Sequence, residues 1–167
     1  GCGKTEIYLS LAEKVIETGK NVLILVPEIS LTPIMVNNVY SRFNEKVAIL
    51  HSGLTNAERY DEYRKILNKE VNVVVGTRSA VFAPLDNIGL IIIDEEHSES
   101  YKQDNLPYYH AREVAIMRSK INNAKVLLGS ATPSFESKTK AMKGIYNFVK
   151  IDKRINKLIL PETVIVD

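Results

Sequence analysis

The chain has 167 residues, 45% hydrophobic and 25% charged, a size and balance that fit one soluble globular domain with a single packed core. Lysine and arginine number 22 against 20 acidic residues, and a net charge of +2 is too small to argue nucleic-acid binding by bulk electrostatics, so any such role must come from local sites. The lone cysteine, Cys2, excludes an internal disulfide and a Cys-rich zinc site, and no apolar run reaches the length of a membrane span, so a cytoplasmic protein without zinc or a membrane partner is expected.

The chain opens Gly1-Cys2-Gly3-Lys4-Thr5, the second half of the phosphate-binding pattern G-x-x-x-x-G-K-[ST], with the first three positions absent. Glycines let backbone N–H groups approach phosphates, a helix N-terminus supplies a favourable dipole, and Lys4 adds a point charge. Thr5 would hold Mg²⁺ through its hydroxyl. Gly1, Cys2, Gly3, Lys4, Thr5 and Glu6 are therefore the candidate ATP-binding segment, although a Gly-Lys-Thr at a helix start also serves as an ordinary cap.

A first helix follows, because Tyr8, Leu11, Ala12, Val15 and Ile16 share a face at helical spacing and Gly19 stands at a C-terminal cap. Apolar runs of strand length then recur at 22–26, 47–50, 71–75, 90–93 and 126–128. They are nearly continuous in Val, Ile and Leu, as parallel strands covered on both faces require. Thr32-Pro33 and Thr132-Pro133 each place an N-cap before a proline at the first helical position, and Thr55 with Glu58 forms a capping box opening a helix to about Asn68. The expected fold over residues 1–145 is α/β, a mostly parallel sheet with helices on both faces in three layers. Residues 146–151 and 158–166 read as strands about the basic turn Lys153-Arg154, so that 146–167 would lie at the boundary to a following domain.

Asp94-Glu95-Glu96-His97 follows directly on Leu90-Ile91-Ile92-Ile93, so a buried strand delivers carboxylates to its carboxyl end, where ligand sites of open α/β sheets lie. Hydrolysis of a nucleotide needs one carboxylate for the metal and another for the water, roles that fall to Asp94 and Glu95 beside Lys4. Charge runs also occur as plain solvated turns, and the phosphate-loop pattern upstream weighs against that here.

Asp94-Glu95-Glu96-His97 resembles motif II of the superfamily 2 helicases, and Gly129-Ser130-Ala131-Thr132-Pro133 resembles their motif III. Pro27-Glu28-Ile29-Ser30-Leu31-Thr32-Pro33 and Gly76-Thr77-Arg78-Ser79-Ala80 are similar to motifs Ia and Ib in the wording of the DNA helicases of replication restart. His51-Ser52-Gly53-Leu54 matches the same group, as does the aromatic-rich stretch from Ser98 to Arg112. The likeness runs the whole length, with motifs concentrated before Pro133. It implies a RecA-like lobe that binds ATP and Mg²⁺, forked or single-stranded DNA as partner, and primosome and single-strand-binding proteins as associates. It also implies a second lobe that completes the nucleotide site, so these residues alone are expected to hydrolyse little ATP. His97, Ser130 and Thr132 would couple nucleotide state to DNA. Cys2 departs from the usual serine, and Tyr108 from a common basic residue.

Physically, hydroxyls of Thr32, Thr77 and Ser79, the Arg78 guanidinium and amides at helix starts suit sugar-phosphate oxygens, and with Glu28, Lys102 and Arg112 they make a candidate DNA groove. Tyr101, Tyr108, Tyr109 and His110 offer flat faces on which unpaired bases could stack. The same rings would also pack well in a core, and on sequence both readings stand. An RNA helicase lobe, or a nucleic-acid-binding module without turnover, are the competing functions. A phosphotransferase would need an acceptor pocket and lid arginines instead.

Overall fold

The computed structural model describes residues 3–151. Helix α1 (Lys4–Glu17) leads into strand β1 (Asn21–Leu25), and α2 (Pro33–Phe43) into β2 (Val47–Leu50). Helix α3 (Asn56–Leu67) precedes β3 (Val73–Gly76), and β4 (Ile88–Ile93) follows without an intervening α-helix. A two-residue ladder, β5 (Lys102–Gln103) with β6 (Tyr109–His110), precedes α4 (Ala111–Asn122), β7 (Lys125–Leu128) and α5 (Phe135–Met142).

Five strands form one parallel sheet in the order β2-β3-β1-β4-β7. Residues of alternating parity feed two separate cores. Val22, Ile24, Val73, Val75, Leu90 and Ile92 pack under α1 and α2, while Leu23, Leu25, Val74, Ile91 and Ile93 pack under α3 and α4. Covering both faces is what lets the strands be unbroken Val, Ile and Leu, and each such side chain contributes roughly 1.5–3 kcal/mol by leaving water. The three layers expected from the apolar runs are present. At the β2 edge, the amide of Ile49 donates to Glu62 Oε2 at 2.7 Å, so an α3 carboxylate covers a donor that no neighbouring strand takes among the described residues.

Local punctuation acts largely as the residue types dictate. Thr32 caps α2 by accepting from the Met35 amide, and Thr55 and Glu58 form both halves of the capping box. Gly19 follows the α1 C-cap at φ 78°, a left-handed turn that suits glycine. Gly76 ends β3 where a Cβ would stand 2.4 Å from the Leu50 carbonyl, so only glycine fits. Three expectations fail. The last helix begins at Phe135, with Ser134 as its cap and not Thr132, because Ser134 Oγ accepts from the Ser137 amide while Thr132 turns toward His97. On α1 it is Leu9 that is buried, and Leu11 faces solvent. No strand forms over 146–151, where α5 has already been ended by Gly144 at φ 72°; residues 158–166 lie outside the described residues.

Candidate functional site

At the carboxyl ends of the central strands three charged groups meet. Lys4 Nζ, in the first turn of α1, lies 2.5 Å from Glu95 Oε1 and 3.7 Å from Asp94 Oδ1, joining residues about 90 apart in the chain. Gly3 makes this possible by entering the helix at φ 78°, a conformation other residues resist. Asp94 is held on both sides. The Tyr8 hydroxyl donates to Asp94 Oδ1 at 2.9 Å, and the Tyr101 hydroxyl lies 2.6 Å from the Asp94 carbonyl oxygen and 3.1 Å from that of Leu25. Glu95 sits at φ 44°, a left-handed backbone costing about 1–3 kcal/mol for a residue with a Cβ. The Ser98 amide donating to its carbonyl and the Glu96 amide donating to Gly129 close the turn that holds it there.

The third acid of the quartet has another task. Glu96 is 1% exposed and accepts from Arg112, from the Ser134 amide, and from the hydroxyls of Ser134 and Ser137. Burial pushes its carboxyl up, but the Ser134 amide, Arg112 and the two hydroxyls together hold it below the usual carboxylate range. His97 points the other way. Its Nδ1 is 2.7 Å from Ser130 Oγ, and its Nε2 is 3.4 Å from Thr132 Oγ1. Motif II is thus tied to the segment after β7 at two levels, one buried and one exposed.

Beside this lies a cleft of about 440 Å³ lined by Glu28, Leu31, Pro33, His51, Ser52 and Thr77 among others. Glu28, Thr32 and Ser79 are exposed around it, whereas Thr77 is 4% exposed. A larger cavity, about 600 Å³, opens over the β2 edge and is lined by neither Lys4 nor the motif II carboxylates.

Several expected contacts are corrected. Glu6, expected in the ATP-binding segment, is exposed and pairs with Arg42 of α2 at 2.7 Å. Tyr101 is fully buried, and it offers no face to a base because its ring fills the core under β4. Arg112 turns inward to Glu96, and Arg78 donates to the Ser100 and Lys102 carbonyls, pinning the loop after motif II. Thr77, at 4% exposure, meets the surface only where it lines that cleft. His110 caps α4, its Nδ1 accepting from the Arg112 amide. Tyr109 packs edge-on against Phe82, and Lys102 pairs with Asp104. Only Tyr108, 70% exposed, keeps the open ring the aromatic stretch promised among its four candidates. Gly1 and Cys2 lie outside the described residues.

The sequence model of the DEAD/DEAH box helicases matches residues 1–141. The chain belongs to that family. Within the family it is similar to the replication restart protein PriA of Bacillus subtilis, 56% identical over all of this chain and 21% of that protein. The PriA of Synechocystis is 51% identical over 82% of this chain and 17% of its own length, and that of Treponema pallidum 44% over 100% and 25%. The chain therefore spans about a fifth of the length of these relatives. Among solved structures, the C-terminal domain of the DEAD-box protein Dbp5 aligns over 90% of this chain and 82% of its own (TM-score 0.55, 14% identity). The DUF1998 helicase MrfA bound to DNA aligns over 86% and 19% (TM-score 0.54, 11% identity). These likenesses place the fold among the RecA-like helicase lobes.

In this DEAD/DEAH box lobe two site residues escaped the sequence reading, Tyr8 and Glu96. Tyr8 stands four residues after Lys4, one helical turn on, a spacing that puts both on one face and could have flagged it. Glu96 carried no such signal, since its partners come from α4 and the start of α5.

Proposed function

We propose that these residues form the ATP-binding lobe of an ATP-dependent DNA helicase acting in replication restart, in which hydrolysis drives movement along DNA. The observation that carries this is the meeting of Lys4 with Asp94 and Glu95 at the end of β4. Lys4 would hold the β- and γ-phosphates, and Thr5 with Asp94 would hold Mg²⁺. The donor set fits: a threonine hydroxyl and a carboxylate held by Tyr8 are few and hard oxygens, as suits an ion that keeps waters and phosphate oxygens as ligands. When bound, Mg²⁺ neutralises charge on the phosphate oxygens. Glu95, paired to Lys4 at 2.5 Å, is released as phosphate draws the ammonium away and becomes the group that orients water and takes its proton.

His97, Ser130 and Thr132 carry the state of this site to the strand groove, where Glu28, Thr32, Ser79 and Tyr108 border the path of a DNA strand. A second lobe would supply an arginine at the phosphates. The similarity to relatives named for replication restart supports forked or single-stranded DNA, primosome proteins and single-strand-binding proteins as partners in the cytoplasm. No helix among the described residues is long and apolar enough to cross a membrane.

The test is ATP hydrolysis by the intact protein with forked DNA, duplex DNA or RNA. Fork DNA should stimulate best. Lys4→Ala and Glu95→Gln should each lower turnover on the order of 10²–10⁴-fold, the Gln variant still binding nucleotide. Undiminished DNA-stimulated turnover in both variants, or stimulation by RNA above DNA, would overturn the proposal.

A further inference from the structure

We infer that Tyr8 is a positioning residue of the nucleotide site, fixing the Asp94 carboxylate and locking the phosphate-loop helix to the motif II turn; this rests on the ATP-binding reading above. Tyr8 is 4% exposed, yet its hydroxyl emerges from the apolar layer under α1 to donate to Asp94 Oδ1 at 2.9 Å. It shares the helix face of Lys4 one turn earlier, so the phosphate-binding amine and the phenol move as one body.

The far side of the phenol is shaped too. A Cβ on Gly129 would stand 1.7 Å from the Tyr8 oxygen, so the residue opening motif III must be glycine for this hydroxyl to reach Asp94. Gly129 is itself locked to motif II, its amide donating to Ile93 and its carbonyl accepting from Glu96. Asp94 is consequently gripped from both layers of the sandwich. Tyr101, in the core under α4, reaches its backbone carbonyl, and Tyr8, in the core under α1, reaches its side chain. The backbone grip sets where the residue sits, and the side-chain grip sets the rotation of the carboxylate that would face the metal. An outer partner that orients a ligating carboxylate in this way contributes 10- to 100-fold in metal affinity.

Tyr8→Phe keeps the ring and removes the hydroxyl. In the intact protein, binding of a fluorescent ADP analogue would be followed as Mg²⁺ is titrated, and again in EDTA. Tyr8→Phe should raise the Mg²⁺ concentration for half-maximal enhancement of binding by about 10-fold or more and leave binding in EDTA unchanged. Asp94→Asn should abolish the Mg²⁺ enhancement, and adding Tyr8→Phe to it should change nothing further. Gly129→Ala should shift the Mg²⁺ requirement in the same direction as Tyr8→Phe. An unchanged Mg²⁺ requirement in Tyr8→Phe, while Asp94→Asn loses the enhancement, would reduce Tyr8 to a packing residue and overturn this inference alone. Mg²⁺-dependent binding untouched in Lys4→Ala and Asp94→Asn would overturn the nucleotide reading itself.

Discussion

Glu96 shows how one acidic letter in a charged quartet can serve the fold and not the chemistry. Its neighbours Asp94 and Glu95 face Lys4, but Glu96 alternates inward and collects a guanidinium, an amide and two hydroxyls in a pocket that leaves it 1% exposed. Removing it would strand the Arg112 charge, whose side chain is only 12% exposed, together with the donors at the start of α5. Breaking a buried pair by deleting one partner costs about 3–5 kcal/mol. Glu96→Ala should therefore lower unfolding free energy by that amount in denaturant titration, and Glu96→Gln, which keeps the shape and an acceptor, by clearly less. A loss under about 1 kcal/mol for Glu96→Ala would mean the network is not what holds motif II to α5.

Among the elements, α4 is one whose start depends on proton binding near neutral pH. His110 caps it by accepting the Arg112 amide on Nδ1, which requires a neutral ring. Burial, and then the Arg112 charge, lower the His110 pKa from its ordinary 6.5, while Glu113, Glu136 and Glu96 pull weakly the other way. Since the folded value is depressed, the unfolded chain binds more protons below pH 6.5. The stabilisation is present above that pH and is lost as pH falls toward the folded value. The melting temperature should thus drop between about pH 7.5 and 5.5, and His110→Asn, which retains a capping oxygen without a titrating ring, should flatten that drop. An equal drop in both proteins would show that His110 is not its source. The Glu96 network has the same sign but titrates below the ordinary carboxylate value of 4.5, outside that window.

Across the whole lobe, the two cores lie on opposite faces of the sheet. The inner strands β1, β3 and β4 are covered on both faces and hydrogen-bonded on both edges, whereas among the described residues β2 and β7 each have one neighbour and β7 is only half-buried. Local opening follows burial and pairing, so amide hydrogen exchange should be slowest in Leu23–Leu25, Val73–Val75 and Ile91–Ile93 and faster in Val126–Leu128. Equal protection in β7 and β4 would contradict this ordering. The motif II carboxylates thus stand at the end of a strand that is covered on both faces and paired on both edges.

Much of this lobe was legible before any coordinates. Unbroken Val, Ile and Leu runs specify buried parallel strands, and capping boxes such as Thr55 with Glu58 specify helix starts, because each is a pattern of near neighbours. The partner of a side chain across the fold is no such pattern. Tyr101 stands among Ser98, Glu99, Ser100, Lys102 and Gln103, a polar setting that reads as an exposed loop, yet a short 3-10 turn swings it beneath β4. Arg78 and Arg112 read as phosphate contacts and instead hold a carbonyl pair and a buried carboxylate. Tyr8 reads as apolar core and delivers its hydroxyl to Asp94. Local composition sets which elements form. Which polar atom each ring or guanidinium finally satisfies is set by the register of β1 against β4 and the packing of α1 and α4 on opposite faces, contacts that bring together residues far apart in the chain.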